Sequence, residues 1–173
     1  ASVRSHERSR RDALIDRTVM SLYLVRHAKA GSRSDWDGDD EERPLSKNGW
    51  KQAEGIAKRL SGKRRPSALL SSPYLRCRQT LEPLAAATGL TVVVDQRLTE
   101  GSAFEPVLDL LAEVADGTVL CSHGDVVPDT IAALQRRGCR LLTGADWRKA
   151  TVWTIERDAD GTCTSAGVWG PPD

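Results

Sequence analysis

The sequence predicts an α/β protein in three layers, with a mainly parallel central sheet between two layers of helices. Short β-prone apolar runs alternate with amphipathic stretches of about ten to fifteen residues, which is the rhythm of βαβ units. Arginines, a glutamate and two of the three histidines cluster at or soon after the ends of the apolar runs, where an open parallel sheet places its ligand site. With 173 residues, 39% of them hydrophobic and 28% charged, the chain has the length of one domain and the apolar content for its core.

Taken in order, residues 1–19 carry Arg4, Arg8, Arg10, Arg11 and Arg17 against Glu7, Asp12 and Asp16, with few large apolar side chains. They read as an N-terminal extension or linker, and residues 20–173 as the folded domain. MSLYLV from Met20 is a buried strand that stops at Arg26-His27. The acidic loop GSRSDWDGDDEERP follows and reads as a mobile, solvated lid; Ser46 then caps a helix in which Trp50, Ala53, Ile56, Ala57 and Leu60 form one face. Gly62 and Pro66 end that helix.

A second strand, Ser67 to Leu70, leads through SSPYLRCRQT into a helix carrying Leu75, Leu81, Leu84 and Ala85, with Gly89 as its stop and Pro83 expected to kink it. Thr91 to Val94 is the third strand, followed by the loop DQRLTEGS and a helix with Val107, Leu108, Leu110, Leu111 and Val114. Thr118 to Cys121 is the fourth, followed by SHGD and a helix through Ile131 and Leu134. Lys149 to Ile155 and Cys163 to Val168, separated by Asp160-Gly161, form a hairpin or two neighbouring strands.

Composition excludes several functions. Twenty-five basic against 24 acidic residues leave a net charge of +1, too little for a broad nucleic-acid footprint. No apolar stretch approaches the roughly 20 residues that span a bilayer. The N-terminal residues lack the apolar core of a secretory signal, so the expectation is a cytoplasmic protein without membrane or nucleic-acid partners. Its four cysteines show no C-x-x-C pair and are expected as reduced thiols. The acidic loop fails the EF-hand spacing, Gly62-Lys63 lacks the upstream Gly of a P-loop, and neither a G-x-S-x-G elbow nor a Nudix box occurs. No metal and no cofactor are called for.

Two of the three histidines, His27 and His123, follow predicted buried strands directly. Arg26 adjoins the first, Arg76 lies past the second strand, Glu100 past the third, and Gly124 follows His123. Each histidine alone would read as a structural cap, but together these groups suit one anion. Guanidiniums offer paired donors to phosphate oxygens, and an imidazole held in one tautomer can attack phosphorus. Arg26, Arg76 and protonated His123 would stabilise the charge spread over a transferring phosphoryl group, while Glu100 acts as general acid and then base. Lys29, Arg33, Arg43 and Lys47 are candidates for a second anionic group, with ordinary exposed loop charge as an equal alternative for each. Gly124 would admit a backbone N–H to the phosphoryl oxygens or simply make a turn.

LVRHAKAG resembles the Arg-His-Gly signature of the histidine phosphatase, or phosphoglycerate-mutase-like, superfamily. SSPYLRCRQT resembles that family's second motif, SHGD the motif around its second histidine, and the Glu of RLTEG its proton donor. The resemblance implies a histidine-phosphatase-like fold, His27 as nucleophile, Arg26, Arg76 and His123 as phosphoryl ligands, and Glu100 as acid. Ala28, Ala30 and Arg33 depart from the mutase-like pattern. RHAKAG and RPLSKNGWKQA are instead similar to short SixA-like phosphohistidine phosphatases and to a domain attached to some actinobacterial MutT-type Nudix proteins. The first expectation is therefore a metal-independent, SixA-like phosphohistidine phosphatase. A second is a nucleotide or small-molecule phosphomonoesterase with a Nudix domain as partner, favoured by Glu100, because phosphohistidine has a good leaving group and asks less of an acid. A third is an inactive phosphoanion-binding or protein-interaction module.

Overall fold

The computed structural model describes residues 19–62 and 65–173. The extension expected over 1–19 lies outside the described residues, save Val19, and so does Lys63. Seven strands, β1 (Met20–Arg26), β2 (Ala68–Ser71), β3 (Val92–Val94), β4 (Thr118–Ser122), β5 (Arg140–Leu141), β6 (Val152–Arg157) and β7 (Cys163–Trp169), form one sheet in the order β3-β2-β4-β1-β6-β7-β5. The first four of that order run parallel; β6 is antiparallel to both β1 and β7, and β5 pairs parallel with β7. This is the expected α/β architecture with a mostly parallel, mixed sheet.

Alternation along β1 divides the core. Leu22 and Leu24 pack on one side with Val107, Leu111, Ile131 and Leu134 from α3 (Phe104–Glu113) and α4 (Val126–Arg136). Tyr23 and Val25 pack on the other with Ala53, Ile56, Leu60, Leu81 and Leu84 from α1 (Lys47–Leu60) and α2 (Leu75–Thr88). Period two in the strand thus feeds two helical layers of period 3.6, which is why β1 is apolar at nearly every position. β4, between β1 and β2, is buried at all five residues.

Ser46 caps α1 as expected, its hydroxyl accepting from the Gly49 N–H at 3.1 Å, and Gly89 ends α2 in the left-handed region. α2 remains continuous across Pro83. The strand expected from Lys149 begins only at Val152, because Ala150 takes a left-handed φ of 64° and turns its N–H back onto the carbonyls of Arg26 and His27, both at 3.2 Å. The two-residue β5 was not expected; an element this short carries no periodicity to read.

Candidate active site

Parallel pairing brings the carboxyl ends of β1, β4 and β2 to one edge. Arg26 lies opposite Ser122, and Ser71 opposite Cys121. The His27 N–H donates to the Ser122 carbonyl at 3.0 Å, and the Ser72 N–H to the Cys121 carbonyl at 3.0 Å. His27 and His123, 96 positions apart in the chain by their numbers, therefore stand with ring centroids 5.4 Å apart. Arg76, in the first turn of α2, is 1% exposed, and its guanidinium donates to the Asp40 carbonyl at 2.8 Å and to Glu100 Oε2 at 3.1 Å. Thr80, one turn further, ties the helix to the loop after the nucleophile: its hydroxyl accepts from the Ala28 N–H at 2.9 Å.

Hydrogen bonding assigns the His27 tautomer. Nδ1 lies 2.8 Å from the Ala28 carbonyl, which can only accept, so Nδ1 carries the hydrogen and the Nε2 lone pair is free. Burial, reinforced by the charges of His123, Arg76 and Arg26 against the opposing Ala28 bond, lowers the His27 pKa to about 3. The ring is thus neutral across ordinary pH, with a lone pair available at Nε2. His123 Nε2 sits 2.8 Å from Ser72 Oγ and 3.5 Å from Cys77 Sγ. Burial raises the Cys77 thiol's pKa, but its bonds with Cys121 and His123 and the charge of Arg76 win, bringing it down to about 6.

Three buried polar atoms of this seat, Arg26 Nε, Arg76 Nε and His123 Nδ1, have no hydrogen-bond partner among the described residues. A buried polar atom without a partner is costly, and Arg26, Arg76 and His123 each bring one to the end of the sheet where His27 stands. Arg26 also donates to the Trp147 carbonyl. Gly124 lies against this arginine: a Cβ there would lie 2.6 Å from Arg26 Cζ and push the guanidinium aside. Its absent side chain lets the guanidinium lie flat across the loop, a role the sequence reading had divided between backbone approach and turn.

The seat opens into a cleft of about 710 Å³ lined by Lys29, Arg33, Arg43, Glu100, Asp125 and Lys149, among others. Arg33 and Arg43 are not free charges: Arg43 Nε donates to Asp40 Oδ1 at 2.9 Å, and Arg33 lies 3.7 Å from both Asp40 and Glu100. Burial opposes ionisation of Asp40, but the Arg43 bond and the charges of Arg76 and Arg33 hold its pKa below the usual carboxylate range. Lys47 opens α1 and is absent from the cleft wall. Trp36, 37% exposed, spends its indole N–H on the Asp39 carbonyl and is likewise absent from that wall. Residues 32–39 of the acidic loop are solvated, whereas Asp40 reaches Arg76.

Sequence reasoning had not singled out Ser72, Cys77, Asp40, Asp125 or Lys149. Ser72 and Cys77 lie within SSPYLRCRQT, and Asp125 within SHGD, so a closer reading of those motifs would have reached them. Asp125 Oδ2 accepts from the Gly101 N–H at 2.7 Å and fixes the turn that carries Glu100. Lys149 has no motif around it.

A neutral imidazole at a parallel strand end, with Arg26, Arg76 and His123 gathered beside it, suits a phosphatase of the histidine type. The chain belongs to the histidine phosphatase superfamily, whose branch 1 model matches residues 22–105. It is 32% identical over 160 residues to an 8-oxo-(d)GTP phosphatase of Mycolicibacterium smegmatis, a match covering 88% of this chain and 49% of that protein. The chain thus spans about half the length of that relative. Among solved structures it resembles a SixA from Agrobacterium tumefaciens, at 26% identity and a TM-score of 0.64 over 80% of this chain and 92% of that one. The fold also matches a protein histidine phosphatase SixA complexed with tungstate, with a TM-score of 0.69 at 22% identity over 89% and 97% of the two chains. No helix among the described residues is long and apolar enough to cross a membrane.

Proposed function

We propose that the chain hydrolyses a small phosphate monoester, a nucleotide first, through a phospho-His27 intermediate and without a metal. The observation that carries this reading is Glu100, whose carboxylate stands 3.1 Å from the buried Arg76 at the cleft's edge. In the first step the Nε2 lone pair forms the P–N bond as the P–O bond breaks, and the leaving oxygen takes a proton from Glu100. In the second, Glu100 removes a proton from water, which attacks phosphorus and releases phosphate and His27. Arg26, Arg76 and His123 stabilise the phosphoryl charge in both steps.

The nucleotide preference is supported by the resemblance to an 8-oxo-(d)GTP phosphatase roughly twice as long, and a Nudix-type pyrophosphohydrolase is the partner it suggests. A cytoplasmic setting belongs to the same proposal, supported by Cys77, Cys121, Cys139 and Cys163 as free thiols. The SixA-like reading, a phosphohistidine protein as substrate, keeps support from the Agrobacterium structure.

Phosphate release in the presence of a chelator tests both. His27→Ala should lower turnover at least about a thousandfold on any substrate; activity near wild type overturns the covalent route. Glu100→Gln should cost about a hundredfold on a nucleoside monophosphate, whose leaving group is a sugar alkoxide, and far less on a phosphohistidine protein. Equal losses on the two would remove Glu100 as the leaving-group acid.

A further inference from the structure

Six cations line the cleft, Arg26, Lys29, Arg33, Arg43, Arg76 and Lys149, against the carboxylates of Glu100 and Asp125. The arginines are committed. Arg26 is bound to the Trp147 carbonyl, and Arg33, Arg43 and Arg76 are paired with Asp40 or Glu100. The ammonium groups of Lys29 and Lys149 have neither an ion pair nor a hydrogen bond among the described residues. Both exceed what one phosphoryl group needs, since Arg26, Arg76 and His123 already surround it.

Both lysines are nevertheless held in place through their backbones. Lys149 precedes Ala150, whose left-handed φ of 64° is uncommon for a residue with a side chain, and whose N–H bridges the carbonyls of Arg26 and His27. The Lys29 carbonyl accepts from the Ser46 N–H at 2.9 Å and the Ser46 hydroxyl at 3.1 Å, while its N–H donates to Gln52 Oε1 at 3.0 Å. Gly49 permits that clamp, because a Cβ there would lie 1.9 Å from the Lys29 carbonyl oxygen. Both side chains are exposed and lie on the wall of one cleft, so an anion bound there would gain from both charges. Although its side chain is exposed, desolvation and then the charges of Arg26, Arg43, Lys29 and Arg76 lower the Lys149 pKa.

We propose that Lys149 and Lys29 form a second anion subsite beside the phosphoryl seat, which takes a phosphate of the leaving group. The substrate class is then one with adjacent phosphates, a nucleoside diphosphate or triphosphate. Its terminal phosphoryl group passes to His27 Nε2 while the next phosphate leaves held by the lysines. This rests on the phosphatase reading for its catalytic meaning but not for its binding, so the two are separable.

The test is calorimetric titration of the His27→Ala protein with inorganic pyrophosphate and with orthophosphate at one fixed ionic strength, repeated with Lys149→Ala and Lys149→Gln added. Pyrophosphate should bind at least tenfold more tightly than orthophosphate, and each lysine substitution should cut that preference by at least fivefold. Equal affinities, or a preference untouched by both substitutions, overturn the subsite. Absence of phosphate release by the wild-type protein, with the pyrophosphate preference intact, would overturn the phosphatase mechanism and leave the subsite standing.

Discussion

The seat and the rim of this cleft are built from similar residue types in different ways. In the seat, His27, Arg76 and His123 are at most 6% exposed, and each is fixed by strand ends, a helix start or a buried hydroxyl. On the rim, the side chain of Arg33 is 69% exposed and that of Asp40 36%, and loops carry both. A charge in the seat acts at low dielectric, where each donor is worth most and a missing acceptor costs most; rim charges are screened by water and salt. On the proposed mechanism, reaction chemistry falls to the buried part and recognition of the leaving group to the exposed one.

The contrast is tested most severely inside the seat. Gly124→Ala places a methyl group where Arg26 lies and should lower kcat/KM about a hundredfold, comparable to losing one transition-state donor. Steady-state kinetics with a circular dichroism check of folding would measure it; near-wild-type turnover would mean that Arg26 is not held by this contact.

A smaller effect should appear in stability. The unfolded chain protonates His27 near the ordinary 6.5, the folded chain only near 3, so between those values the unfolded state holds more protons. Stability should fall as pH drops through that window, by up to about 1.4 kcal/mol per pH unit from this group. Urea midpoints of wild type and His27→Gln between pH 7 and pH 4 check it, and an unchanged slope in the variant would remove His27 as the source.

The rim gives the smallest change. Asp40 competes with substrate for Arg76, so Asp40→Asn should lower KM about threefold, the scale of a partly exposed ion pair. A higher KM would show that Asp40 orders Arg76 instead of competing for it.

Much of this was legible before any coordinates. The burial of β1 on both faces, the Ser46 cap and the helical stripe through Ile56 and Leu60 are local patterns, written within a few residues of one another. Arg26, His27, Arg76, Glu100 and His123 could be singled out as candidates because each lies at or soon after the end of a strand, and parallel strands deliver their ends to one edge. The strand expected at Lys149 failed because a left-handed Ala150 carries no sequence signal; alanine is usually a helix former. Arg33 and Arg43 were recognised as charges, but their partner Asp40 was read only as part of a solvated loop.

Local periodicity and the residues at strand ends thus determined the α/β class and the candidate residues for chemistry at phosphorus, since both depend on neighbours in the chain. The tertiary structure alone decided which strand lies beside which. Antiparallel β6 next to β1 carries Trp147, Lys149 and Ala150 to Arg26, and the Arg26–Trp147 bond spans 121 positions. Contacts that close so long a loop are selected by packing of the whole core. No window of sequence contains both partners, and so Lys149 joined Lys29, already a candidate from the sequence, only in the folded sheet.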